Sequence, residues 1–193
     1  MYRRVSPLLM LLLAFAFSSC KEAAITAPEP EEPGIGSGTW RVGSEVVPGR
    51  YYTNPTSGCY FERLSGFSGS LDDLIANEFV GFDAGQWIVD ISSSDVGFST
   101  DSQCGRWRLE RQIGLRASIA PGVWEVGSQI TPGRYRTNAS EGCYWERLSA
   151  FGADLASINA NDYLSHAGQQ IVDILPSDVG FESDEECGTW ERI

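Results

Sequence analysis

Gly58-Cys59-Tyr60-Phe61-Glu62-Arg63-Leu64-Ser65 returns 84 residues later as Gly142-Cys143-Tyr144-Trp145-Glu146-Arg147-Leu148-Ser149. The stretch from Cys59 to Leu64 is rich in aromatic residues and predicts a strand, as does its copy. The duplication extends in both directions. Pro48-Gly49-Arg50-Tyr51 matches Pro132-Gly133-Arg134-Tyr135, and Gly38-Thr39-Trp40 matches Gly122-Val123-Trp124. Cys104-Gly105-Arg106-Trp107 matches Cys187-Gly188-Thr189-Trp190, at an offset of 83, so the second copy is one residue shorter. A period this long exceeds that of stacking solenoid repeats, and each copy reads as a small domain.

Within each copy the punctuation is that of β-structure. Val47-Pro48-Gly49-Arg50 carries Pro and Gly at the two central positions of a type II turn. Arg50 to Thr53 then reads as a returning strand. Trp87-Ile88-Val89-Asp90-Ile91 and Gln170-Ile171-Val172-Asp173-Ile174 suit a pleated surface. Residues 71–78 and 155–162 are expected to form short helical turns. Five or six short strands per copy predict a mainly β fold: two tandem small β-barrel or β-sandwich domains.

The N-terminus reads as an address. Arg3 and Arg4 precede an apolar run, Leu8 to Phe17, that is too short to span a bilayer. Ser18-Ser19-Cys20 follows it directly, so residues 1–19 are expected to be a lipoprotein signal peptide and Cys20 the lipidated mature terminus. Residues 20–37, rich in Pro, Glu and Gly, form an acidic tether. The modules are expected at 38–110 and 122–193, joined by a linker at 111–121.

Cysteine arithmetic fits this plan. The chain has 5 cysteines. Giving Cys20 to the lipid leaves Cys59, Cys104, Cys143 and Cys187, two per copy. Of the three possible pairings, Cys59–Cys104 and Cys143–Cys187 is the simplest, since each domain closes on itself. Each bridge would close a loop of about 45 residues, worth about 4 kcal/mol in a chain-entropy account. A domain this small commonly needs such a staple. Zinc fits poorly, with no CxxC spacing and 1 histidine in the chain.

The formal net charge of -12 disfavours nucleic acid and anionic lipid heads. Membrane attachment is therefore assigned to the lipid, at the bacterial cell envelope, facing the periplasm or the cell exterior. No cofactor or metal is expected. An acidic stretch, Glu182 to Glu186 with Asp173 and Asp178, reads as a solvated turn because no calcium-loop spacing accompanies it.

Aromatics present in both copies are expected in the cores. Trp87 and Tyr52 are replaced by Gln170 and Arg136, which marks them as exposed candidates for binding a glycan or an envelope protein. Glu62-Arg63 and Glu146-Arg147 are further candidates, either locking the sheet or orienting a polar ligand. Glu62 with Asp90, or Glu146 with Asp173, could supply the carboxylate pair of a glycan hydrolase. His166 is matched by Asp83, so no Ser-His or Cys-His pair serves both copies.

The pattern GxW, PGxY, CY[FW]ERL and CGxW resembles a small Cys-containing β module of predicted bacterial secreted proteins and lipoproteins of unassigned function. The resemblance covers both copies and implies export and modular organisation, with no catalytic residues attached. The expected role is noncatalytic binding or interaction. The alternatives are a structural spacer without a ligand and a small carboxylate-dependent hydrolase.

Overall fold

The computed structural model describes residues 34–55, 58–81, 85–109 and 114–193. The leader, Cys20 and most of the tether lie outside the described residues. Both modules belong to one compact unit. No described helix is long and apolar enough to cross a membrane.

The first module comprises β1 (Gly38–Arg41), β2 (Gly49–Thr53), β3 (Cys59–Leu64), β4 (Leu74–Val80), β5 (Trp87–Ile91) and β6 (Gly97–Thr100). One sheet runs β1-β6-β3-β4 and a second pairs β2 with β5. The second module comprises β7 (Ser118–Ile119), β8 (Gly122–Glu125), β9 (Gly133–Ala139), β10 (Tyr144–Leu148), β11 (Ile158–Tyr163), β12 (Gly168–Ile174), β13 (Gly180–Ser183) and β14 (Trp190–Arg192). Its sheets run β11-β10-β13-β8 and β12-β9-β14-β7. The strands pair antiparallel. Each module is two small sheets face to face, with no closed barrel.

Alternation decides what fills the space between the sheets. In β3 the residues Cys59, Phe61 and Arg63 turn inward while Tyr60, Glu62 and Leu64 turn outward. Trp107 meets Phe61 and Phe98 edge-to-face, in a cluster with centroids 5.0–6.1 Å apart, and Trp190 repeats this with Trp145 and Phe181 at 5.6–6.3 Å. Such pairs add about 1 kcal/mol each beyond the area they bury. Cys59–Cys104 and Cys143–Cys187 are bonded, one bridge per module.

Three local expectations change. The tight turn falls at Gly43, in the left-handed region at φ 85°, rather than at Pro48-Gly49, where Gly49 already belongs to β2. The helical turns shrink to single 3-10 turns, Leu71–Asp73 and Leu155–Ser157, capped by Ser70 and Asp154. The chain beyond them joins the sheets as β4 and β11, because alternation there matches a strand surface. Finally, Ser118–Ile119 is not linker: it pairs with β14 as β7, and Ile35 pairs with Trp107 in the first module.

Candidate functional site: the cleft where the modules meet

Each module has its own core, and that of the first extends into the second. Val123, Leu148 and Phe151 of the second module are buried with Tyr52, Trp87 and Ile88 of the first. This corrects the expectation that Trp87 and Tyr52 are exposed. Their relative exposures are 8% and 7%. They differ from Gln170 and Arg136 because the second module covers the first there, whereas the matching face of the second module lies open.

Polar contacts fix this junction. Arg50 donates to both Asp90 oxygens, at 2.7 and 2.8 Å, and to Glu125 Oε1 at 2.6 Å. The Tyr52 hydroxyl donates to the same Glu125 oxygen at 2.9 Å, and Ser128 Oγ donates to its other oxygen at 2.7 Å. The Arg50 guanidinium also lies 4.4 Å from the Phe151 ring centroid. Gln86 and Gln129 exchange amide hydrogen bonds at 3.0 and 3.1 Å, and the Val123 N–H donates to the Gln86 carbonyl at 2.7 Å. Buried amides paired in this way set the register between the modules.

Beside these contacts a cleft of about 520 Å³ opens between the modules. Phe61, Glu78 and Trp87 line it from the first module; Glu146, Leu148 and Glu182 line it from the second. Glu146 and Glu182 sit directly opposite each other on β10 and β13. Like charges at such cross-strand positions destabilise a sheet, so the pair calls for an explanation beyond folding. The first module has Glu62 opposite Ser99 at the matching place.

Burial dominates the electrostatics. It pushes the Glu78 carboxyl up to about 7, against the Phe79 N–H that favours the anion, and the nearby Glu146 charge adds to the rise. Burial raises Glu146 as well, opposed by its hydrogen bond from the Tyr144 hydroxyl. Glu182 is held well above the ordinary carboxylate range, by burial first and then by the charges of Glu146, Glu78 and Asp184. Glu78 and Glu182 therefore release their protons at higher pH than ordinary carboxylates do. The Trp87 indole N–H is buried without a hydrogen-bond partner among the described residues. The site thus combines apolar rings with carboxyl groups that can donate or accept, a pairing suited to a hydroxyl-rich ligand.

The other candidates have structural work. Arg63 clamps Asp95 at 2.8 and 2.9 Å and reaches across to the Gly152 carbonyl at 2.9 Å. Arg147 holds Asp178 at 2.7 and 3.1 Å. Neither proposed hydrolase pair is assembled: Arg50 takes Asp90 and Arg134 takes Asp173, while Glu62 lines a separate groove with Tyr60. The candidate calcium acids are likewise dispersed, Asp173 and Asp178 to arginines and Glu182 into the cleft. Among the described residues, three metal-capable groups come within 4.8 Å of one another only at the two disulfides, whose sulfurs are already bonded. Sequence reading missed Glu78, Glu125 and Glu182. Two of these carried a signal in the copy comparison, since Glu125 stands against Arg41 and Glu182 against Ser99.

Fold and disulfides define a class: tandem, stapled β modules of the kind used outside the cytoplasm. The profile of the Rv1352-like extracellular domain matches residues 32–108 and again 117–191, and the chain belongs to that family. No curated protein and no solved structure matches the chain.

Proposed function

We propose that this extracytoplasmic protein is a lipid-anchored glycan-binding protein of the bacterial envelope, and that its ligand sits in the cleft between the modules. The observation that carries this reading is the cleft itself, where carboxyl groups from both modules, Glu78, Glu146 and Glu182, line an apolar floor that includes Trp87. An apolar floor suits the C–H faces of a sugar, and carboxyl groups pair with its hydroxyls. Cys20 supplies the anchor and the acidic tether the reach.

Titration with soluble cell-wall glycan fragments tests it. Saturable quenching of Trp fluorescence is expected, weakened at least tenfold by Glu182→Gln or Glu78→Gln. The absence of binding across a panel of envelope glycans would favour the spacer reading. A second reading follows from Glu78, whose carboxyl is raised to about 7 beside an acidic neighbour, the range a glycosidase acid uses. Turnover of those fragments, abolished by Glu78→Gln with binding retained, would replace binding by hydrolysis. For the anchor, wild-type protein is expected in the membrane fraction and Cys20→Ser in the soluble fraction; Cys20→Ser that stays with membranes would sink the lipid assignment.

A further inference from the structure

The junction is not symmetric. The first module contributes its β2–β5 face, with Arg50, Tyr52 and Ile88, and the second contributes Val123, Glu125 and Phe151. A head-to-tail contact of this kind leaves an unused copy of each face at the two ends of the array, and such contacts propagate unless something stops them.

At one end the β9–β12 face of the second module repeats the docking face. Arg134 clamps Asp173 at 2.7 and 2.8 Å, as Arg50 clamps Asp90. Ile171 stands where Ile88 does and is 50% exposed, against 3% for Ile88. Arg134 is 59% exposed, and Asp173 is its one carboxylate partner among the described residues.

At the other end the first module repeats the ring and the hydroxyl of the receiving face, with Thr39, Arg41 and Glu45 where Val123, Glu125 and Gln129 stand, Arg41 reversing the charge. Phe67 packs over Gly97 as Phe151 packs over Gly180, and it is 43% exposed where Phe151 is 2% exposed. At the position of Glu125 stands Arg41. Its guanidinium lies 5.0 Å from the Phe67 ring centroid, close to the placement that Arg50 adopts over Phe151. Arg41 therefore occupies the ring that an incoming Arg134 would use, and it presents that arginine with like charge.

We propose that the β9–β12 face docks a further module of this same fold, one presenting a carboxylate at the Glu125 position and an aromatic ring at the Phe151 position, and that Arg41 excludes the chain's own first module from that role. Continuity with the observed junction carries the first part, and charge reversal at one position carries the second. Ser44 matches Ser128, so the receiving face keeps the hydroxyl that supports Glu125.

The full chain tests this by sedimentation equilibrium. Wild type is expected to be monomeric. Arg41→Glu makes the first module the required partner, and the variant is expected to associate with increasing concentration. Adding Arg134→Ala should weaken that association about tenfold or more, as loss of a charged hydrogen bond does. Adding Ile171→Arg should abolish it. Arg41→Gln, which removes the repulsion alone, should associate weakly and guards against a folding defect in Arg41→Glu. Three results would overturn the proposal: folded Arg41→Glu that stays monomeric up to about 1 mM, association indifferent to Arg134, or wild-type self-association through the β9–β12 face.

Discussion

The two modules share a fold and differ in what lies against them. The face carrying Arg50 and Asp90 is covered; the face carrying Arg134 and Asp173 is open. The strand pair bearing Glu146 faces a cleft, and there the second module has Glu182 where the first has Ser99. Shared residues build the sandwich. Residues that differ record that one module sits at the head of the contact and the other at its tail.

The largest test of this contrast uses the buried arginines. Removing one partner from a buried ion pair costs about 3–5 kcal/mol, because the other charge stays buried alone. Arg147→Ala should fall at the low end of that range. Arg63→Ala should cost more, since Arg63 also reaches the Gly152 carbonyl of the second module. Urea unfolding of both variants checks the order, and equal losses would show that the cross-module contact contributes nothing.

The arginines at the two matched faces come next. Arg50→Ala should cost about 1.5–3 kcal/mol through its bond to buried Glu125. Arg134→Ala, at an exposed pair, should cost less than about 1 kcal/mol. A double-mutant cycle of Arg50→Ala with Glu125→Gln would show whether the difference comes from that bond.

Gly85 and Gly168 sharpen the comparison on the backbone. Gly85 has φ 71°, and a Cβ there would run into the Pro121 carbonyl, whereas a Cβ at Gly168 meets nothing within 4 Å. Gly85→Ala should cost about 1–3 kcal/mol from overpacking and left-handed strain. Gly168→Ala should stay within about 0.5 kcal/mol. Thermal unfolding distinguishes them.

Much of the module was legible in the sequence, because burial periodicity and cysteine placement act within one copy. Cys59–Leu64 and Trp87–Ile91 are the strands that their aromatic and β-branched content predicts, and the disulfides close each copy on itself. What a single copy could not reveal was its neighbour. Gln170 against Trp87 was read as exposure, but it reflects a covered face in one module and an open one in the other. Glu182 looked like part of a solvated turn, because its opposition to Glu146 is a matter of strand register and its proximity to Glu78 a matter of module docking. The turn at Gly43 was missed for a local reason: Pro48-Gly49 carries the stronger turn signal, yet Gly49 pairs with Ile91.

The smallest effect concerns pH, and Glu182→Ser, which gives the second module the first module's residue, isolates it. Burial raises Glu78 to about 7 and raises Glu146 and Glu182, with neighbouring charges adding at Glu78 and Glu182, while an unfolded glutamate titrates at about 4.3. Between those limits the folded state binds more protons than the unfolded state. Stability from these groups is therefore fully present below pH about 4.3 and is lost as pH rises through about 7. Asp184, raised by burial to about 6, adds a loss of the same sign in this window, whereas Asp173 and Asp178 titrate the opposite way, their contribution changing below the ordinary Asp range. Glu182→Ser removes the one carboxyl that burial and the charges of Glu146, Glu78 and Asp184 together hold well above its ordinary range. Wild type should lose stability between pH 5 and pH 8, and the variant should lose less, with the curves converging toward pH 5. Parallel curves would mean that Glu182 feels neither its burial nor the charges of Glu146 and Glu78 across the junction, and the cleft would then be two separate surfaces rather than one site.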